Sequence, residues 1–168
     1  MLIRIAGTVN DSIVDGPGIR FTVFTQGCFH NCPGCHNPQT HNPKVGRDVE
    51  IDEIIKDIKK NPLLSGVTLS GGEPFEQVPE ILELIEKIKE LGLDVIIYSG
   101  YTYEALISKN NSQINKVLEL TDYLIDGKFE IAKKSYSLLF RGSSNQRIID
   151  LNKSRLMNEL VETDFSDY

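Results

Sequence analysis

Cys28, Cys32 and Cys35 are the only cysteines of the chain, and they share one stretch, Cys28-Phe29-His30-Asn31-Cys32-Pro33-Gly34-Cys35. Thiolates are soft ligands suited to iron–sulfur clusters and zinc. A cubane 4Fe-4S cluster ordinarily takes four thiolates, so three at C-x3-C-x2-C spacing would leave one iron open to a group that is not protein. Zinc is the alternative, because Cys3His sites are common and His30, His36 and His41 all lie close by in sequence. An odd thiol count does not close a full disulfide set, and residues 1–10 lack the basic and apolar regions of a signal peptide.

Four further segments carry residues able to do chemistry. In Gly71-Gly72-Glu73-Pro74 the glycines let backbone approach a ligand closely, and Glu73 offers a negative charge to a cationic amino group. A plain strand-to-helix turn is the other reading. Asp126 and Lys128 are two residues apart, so on a continuing strand they point the same way, Lys128 toward a carboxylate and Asp126 toward Lys128 or another cation. A solvated ion pair would look the same. Asp15-Gly16-Pro17-Gly18 is a turn, and Phe140-Arg141-Gly142-Ser143-Ser144-Asn145-Gln146-Arg147 is a loop dense in hydrogen-bonding side chains. No Walker loop, Ser-His-Asp order or paired carboxylates stand out.

The elements that must position these segments alternate between strand and helix. Strand character marks residues 2–9, 19–25, 67–70, 95–98, 123–125 and 148–149. Helical spacing marks 51–60, with Asp52 as N-cap, then 79–91 ending at Gly92, 102–106 capped by Thr102, and 114–120. Such alternation predicts β-α-β crossovers and a mainly parallel sheet, with ligands bound beyond the carboxyl ends of its strands. The cysteine loop, Gly71-Gly72-Glu73, Ser99-Gly100 and Asp126-Gly127-Lys128 each follow a strand and so converge on one face. Residues 162–168 are acidic and expected to be loose.

The chain's 168 residues suffice for one domain but not for a full eight-fold barrel, which needs about 250. A formal net charge of -6 gives no electrostatic reason to bind nucleic acid or anionic membranes. No apolar run is long enough to span a bilayer, and clustered thiols suit a reducing compartment, so a cytoplasmic protein is expected.

The C-x3-C-x2-C loop followed by Gly71-Gly72-Glu73-Pro74 resembles the radical S-adenosylmethionine superfamily, and Asp15-Gly16-Pro17-Gly18-Ile19-Arg20-Phe21 resembles its glycyl-radical-enzyme activases. Ser99-Gly100-Tyr101, Leu124 to Phe129 and above all Phe140 to Asp150 are similar to the branch acting on the anaerobic ribonucleoside-triphosphate reductase. The resemblance implies an incomplete β/α barrel of radical S-adenosylmethionine type, one domain over 1–168 with its core at about 15–150 and 151–168 as an extension. It implies that Cys28, Cys32 and Cys35 hold a 4Fe-4S cluster whose open iron takes the amino and carboxylate groups of S-adenosylmethionine. Reductive cleavage of that cofactor would give a 5'-deoxyadenosyl radical, which removes a hydrogen atom from a glycine in the C-terminal loop of the large reductase subunit. Cofactor contacts would fall to Gly34, Cys35, His36, Gly71, Gly72, Glu73, Ser99, Asp126 and Lys128. Many superfamily members carry an aromatic residue before the third cysteine; here it is Gly34, which leaves adenine to the Gly34-Cys35-His36 backbone or the His36 ring. Asp15, Gly16, Pro17, Gly18, Arg141, Ser143, Asn145 and Gln146 would grip the partner loop, and a flavodoxin or ferredoxin would supply the electron. The alternatives are an activase for another glycyl radical enzyme such as pyruvate formate-lyase, an enzyme acting on a small molecule as the 7-carboxy-7-deazaguanine synthases do, and a non-enzymatic zinc or electron-transfer module.

Overall fold

The computed structural model describes residues 1–168 and holds a single seven-stranded sheet. Its strands are β1 (Leu2–Ser12), β2 (Arg20–Thr25), β3 (Arg47–Glu50), β4 (Gly66–Gly71), β5 (Asp94–Ser99), β6 (Tyr123–Asp126) and β7 (Arg147–Asp150), in the order β3-β1-β2-β4-β5-β6-β7. β2, β4, β5 and β6 form a parallel core. β1 runs antiparallel to both β2 and β3, and β7 antiparallel to β6, so only β1 and β7 oppose the common direction.

Side chains alternate across a strand, and the two faces differ in what covers them. Val67, Leu69, Val95, Ile97, Leu124 and Ile149 join one large apolar cluster with the buried residues of all five helices, α1 (Ile51–Lys59), α2 (Val78–Glu90), α3 (Tyr103–Ser108), α4 (Ser112–Leu120) and α5 (Leu151–Met157). The opposite face has no helix. Its β5–β7 half is apolar, with Ile96, Ile125 and Ile148 packed against Phe165, Tyr98, Tyr123 and Phe140. Its β2–β4 half is polar, with Arg20, Thr22 and Thr68 all fully buried.

Several helix boundaries follow from local chemistry. Ile51, Ile54, Ile55 and Ile58 form the buried stripe of α1, with acids in its first turn and lysines in its last, as the helix dipole favours. The helix begins one residue before Asp52, which pairs with Lys87 at 2.5 Å instead of capping. Thr102 caps α3 as expected, its hydroxyl accepting the Ala105 amide at 3.1 Å. Gly92, after α2, has φ +77, the left-handed conformation that a glycine at a helix end adopts without strain.

Two features depart from the sequence reading. β3 is a short, charged edge strand paired only with β1, and its side chains carry no apolar alternation to announce it. Residues 162–168 are not loose. Phe165 is 8% exposed and stacks edge-on against Tyr123 and Phe140, while Tyr168 donates to Asp94 Oδ2 at 2.6 Å. The aromatic rings offset the tail's acidity, closing the helix-free face where no helix can.

Candidate cluster and cofactor site

A cavity of about 330 Å³ opens where the parallel strands end. Cys28, Cys32 and Cys35 from the loop after β2, Ser70, Gly71 and Gly72 at the end of β4, Ser99 and Gly100 at the end of β5, and Gly127, Lys128 and Phe129 after β6 all line it. Its floor runs onto the helix-free face at Tyr98 and Ile125. Its volume lies at the lower end of the range for small-molecule sites, roughly 300–1,000 Å³. A second cleft of about 610 Å³ shares His30, Cys32, Gly100, Gly127, Lys128 and Phe129 with it.

The cysteine loop is closed on itself by backbone. Gly27 donates to Thr40 O at 2.7 Å, Cys28 to His41 O at 3.0 Å, and Cys35 to Cys32 O at 3.1 Å. All three thiols are free and partly exposed. The Asn37 amide lies 3.4 Å from Cys35 Sγ, the kind of donor that tunes an iron–sulfur centre. Burial pushes the Cys28 thiol up to about 11, and the negative charges of Glu73, Cys32 and Cys35 add to the shift. A thiolate at this site therefore calls for a cationic neighbour, and a metal cluster supplies one. The three thiols share the wall of one cavity, where a cluster would take each through a different iron. His30 Nε2 lies 2.8 Å from Glu73 Oε1, and the His36 ring packs on Phe129 at 5.0 Å.

The two glycines of Gly71-Gly72-Glu73 are demanded by the chain's own backbone. A Cβ on Gly71 would sit 2.4 Å from the Thr25 amide nitrogen, and one on Gly72 would sit 2.5 Å from the Gly27 carbonyl. They let the end of β4 pack against the root of the cysteine loop while still lining the cavity. Glu73 corrects its expectation. Its side chain is fully buried and off the cavity wall, and its carboxylate is filled by His30, the Ser99 hydroxyl, the Gly100 amide at 2.7 Å and the Phe75 amide at 3.0 Å. A buried carboxylate needs such donors, so it joins the ends of β4 and β5 to the cysteine loop.

Asp126 and Lys128 also part company. Asp126, 1% exposed, takes a two-pronged contact from Arg147, Nε to Oδ1 at 3.0 Å and Nη2 to Oδ2 at 2.5 Å, and accepts the Tyr103 amide at 2.8 Å. Arg147 also bonds Glu104, whose carboxyl it holds below the usual range. Lys128 is exposed on the cavity wall and belongs to none of the chain's ion pairs. Gly127 lies between them at φ +100, so the backbone turns there and the strand alternation ends.

Among the residues expected to grip a partner, Asp15, Arg141 and Gln146 reach the cavity. Gly16, Pro17 and Gly18 do not: a Cβ on Gly16 would meet the Arg20 side chain at 2.8 Å, Pro17 O accepts from Arg20 Nη1 at 3.2 Å, and Gly18 packs on Ser65. The buried Arg20 guanidinium, which also pairs with Asp94, needs those acceptors and draws the turn to the start of β2. Ser143 is fully buried and accepts the Glu130 amide at 3.2 Å. The amide groups of Asn145 and Gln146 donate to the carbonyls of Lys128 and Gly127 at 2.8 and 3.0 Å. These side chains brace the protein's own loop.

Phe129 was given no role at the site by the sequence reading. A Cβ on Gly34 would meet Ile131 at 2.7 Å and Phe129 at 3.5 Å, so the glycine before the third cysteine makes room for an aromatic ring arriving from the strand β6 side. Its position two residues beyond Gly127 was the available signal.

A family model described as a 4Fe-4S single cluster domain matches residues 14–149. The chain is 39% identical over 142 residues to the anaerobic ribonucleoside-triphosphate reductase-activating protein of Escherichia coli K12, covering 80% of this chain and 90% of that protein. To the protein of the same name from Haemophilus influenzae it is 35% identical over 144 residues, covering 81% and 90%. To that of Enterobacteria phage T4 it is 33% identical over 142 residues, covering 80% and 86%. Among solved structures, QueE from Escherichia coli aligns with a TM-score of 0.49 at 16% identity, over 61% of this chain and 54% of that one, so the chain spans about half its length.

Proposed function

The chain belongs to the 4Fe-4S single cluster family and, within it, to the anaerobic ribonucleoside-triphosphate reductase-activating proteins, and on that premise we propose how its site performs the activation. The protein activates the anaerobic reductase by generating its glycyl radical. The observation that carries this reading is the convergence of three free thiols, two backbone-packed glycines and one unpaired lysine on a single cavity at the parallel strand ends.

Cys28, Cys32 and Cys35 would hold the cluster, which leaves one iron without a protein ligand for S-adenosylmethionine. When bound, cluster and cofactor supply a one-electron reduction and the radical chemistry that removes a hydrogen atom from a glycine Cα. Lys128 meets the cofactor carboxylate. Gly71 and Gly72 on the cavity wall would receive its amino group, and His36 with Phe129 would form the wall beside adenine. The apolar floor at Tyr98 and Ile125 excludes water, which strengthens every charge contact inside. Asp15 and Arg141 stand where the reductase's C-terminal glycine loop would enter. The electron comes from a flavodoxin or ferredoxin, because the three cysteines leave no ligands for a second cluster. Two further parts of this reading are an incomplete β/α barrel in one domain over 1–168, supported by the helix-free face carrying the cavity, and a cytoplasmic setting, supported by the free thiols. No helix is long and apolar enough to cross a membrane.

The test is anaerobic electron paramagnetic resonance of the cluster-loaded chain with reductant, S-adenosylmethionine and the reductase. A glycyl radical signal on the reductase is expected, and its absence from a fully loaded sample would overturn the reading. Cys28→Ala, Cys32→Ala or Cys35→Ala should each abolish cofactor cleavage.

A further inference from the structure

Three consecutive residues hold three others across the antiparallel β6–β7 pair. Arg147 forks onto the Asp126 carboxylate, Gln146 Nε2 donates to Gly127 O at 3.0 Å, and Asn145 Nδ2 donates to Lys128 O at 2.8 Å. Gln146 is itself oriented, because its Oε1 accepts the Gly142 and Ser143 amides at 2.8 and 3.1 Å. The Asp126 carboxylate and the Gly127 and Lys128 carbonyls thus each receive a side-chain donor. The Lys128 ammonium is the one charged group of this segment left without a partner.

Bracing is needed here for a physical reason. Gly127 at φ +100 has the freest backbone of any residue type, and nothing crowds its Cβ position closer than 3.8 Å. Lysine then adds a flexible four-carbon stem. An unbraced Gly-Lys pair would spread the ammonium over a wide volume, and fixing the carbonyls on either side of the Lys128 nitrogen and Cα removes the larger part of that freedom before anything binds. Preorganisation of this kind lowers the ordering cost of binding.

We propose that Gln146, with Asn145 and Arg147, is a positioning residue that sets the reach of Lys128 toward the carboxylate end of the cofactor, in place of a contact to the protein partner. The inference rests on the reading of Lys128 given above. It makes Gln146 act through Lys128, so the two should not contribute independently.

A double-mutant cycle tests this by equilibrium binding of S-adenosylmethionine to the cluster-loaded full chain under anaerobic conditions. Lys128→Ala should raise Kd about tenfold or more, as removal of a charged hydrogen bond does. Gln146→Ala should raise it about threefold or more, and the double variant should bind no more weakly than Lys128→Ala within about twofold. A purely structural role would give additive losses, and that result, or an unchanged Kd in Gln146→Ala, overturns the proposal. If Lys128→Ala alone binds normally, the reading of Lys128 falls, and the proposal with it. Should Gln146→Ala fail to load its cluster, Asn145→Ala takes its place in the same cycle and the same outcomes decide.

Discussion

His30 Nε2 lies 2.8 Å from Glu73 Oε1, and both side chains are almost wholly buried, at 8% and 0% exposure. This contact joins the middle of the cysteine loop to the end of β4, and the same carboxylate collects Ser99 and Gly100 from the end of β5. Glu73→Ala strands these donors in a dry site and should cost about 3 kcal/mol. His30→Gln retains a side-chain donor and should cost about 1 kcal/mol. Urea unfolding of the cluster-free chain measures both. Equal costs, or a Glu73→Ala loss below that of His30→Gln, would show that the carboxylate is not the hub.

Gly72→Ala places a methyl 2.5 Å from the Gly27 carbonyl, at the root of the loop that carries Cys28. Overpacking of this sort costs about 1–3 kcal/mol and here should also lower the iron bound per chain after reconstitution. Gly92→Asn is the control: its Cβ position is open, and asparagine tolerates the left-handed conformation. Normal iron content in Gly72→Ala would refute the crowding argument.

Arg147→Ala leaves the Asp126 carboxylate buried without its cation and should destabilise the fold by about 3 kcal/mol. Adding Asp126→Asn should recover part of that loss, because a neutral amide needs no counter-charge. Thermal or urea unfolding of the two variants decides the matter, and further destabilisation in the double variant would count against Arg147 as the neutralising group. The Glu104 carboxyl, now held low by its Arg147 hydrogen bond, should return upward in Arg147→Ala when followed by NMR titration.

Alkaline pH should unfold the protein through its tyrosines. Burial raises the phenols of Tyr98, Tyr101, Tyr123 and Tyr168, Tyr123 to about 12, against about 10 in the unfolded chain. A folded-state value above the unfolded one contributes stability that is complete below pH 10 and is lost as pH rises toward 12. Urea midpoints should therefore fall across that window, with phenolate absorbance rising late and together with unfolding. Independent titration of all six tyrosines near pH 10 in the folded chain would contradict this.

Where chemistry is written in short spacings, the linear sequence was enough. Three cysteines within one loop have few ways to be used, and alternation of β-branched runs with 3.6-residue periodicity forces strand ends to share an edge. The cluster loop, the parallel core and the gathering of four segments at its carboxyl ends were therefore legible from residues alone. Local rules failed where an element lacks its own apolar signal, as in β3, or where scattered rings find a distant surface, as in Phe165 and Tyr168.

What sequence leaves open is which polar group each polar group meets. Glu73, Asp126, Asn145 and Gln146 all have the composition of ligand-binding residues, and all four turn their hydrogen bonds inward onto the scaffold. The partners that tie them across the sheet and its loops are 17 to 43 residues away and come within reach only once β4, β5, β6 and β7 lie side by side. A buried polar atom must be satisfied by whatever donor the fold brings to it, and that is a property of the packed strands and loops together. Lys128 stays available to a ligand for the same reason: folding assigned the charges around it to one another first.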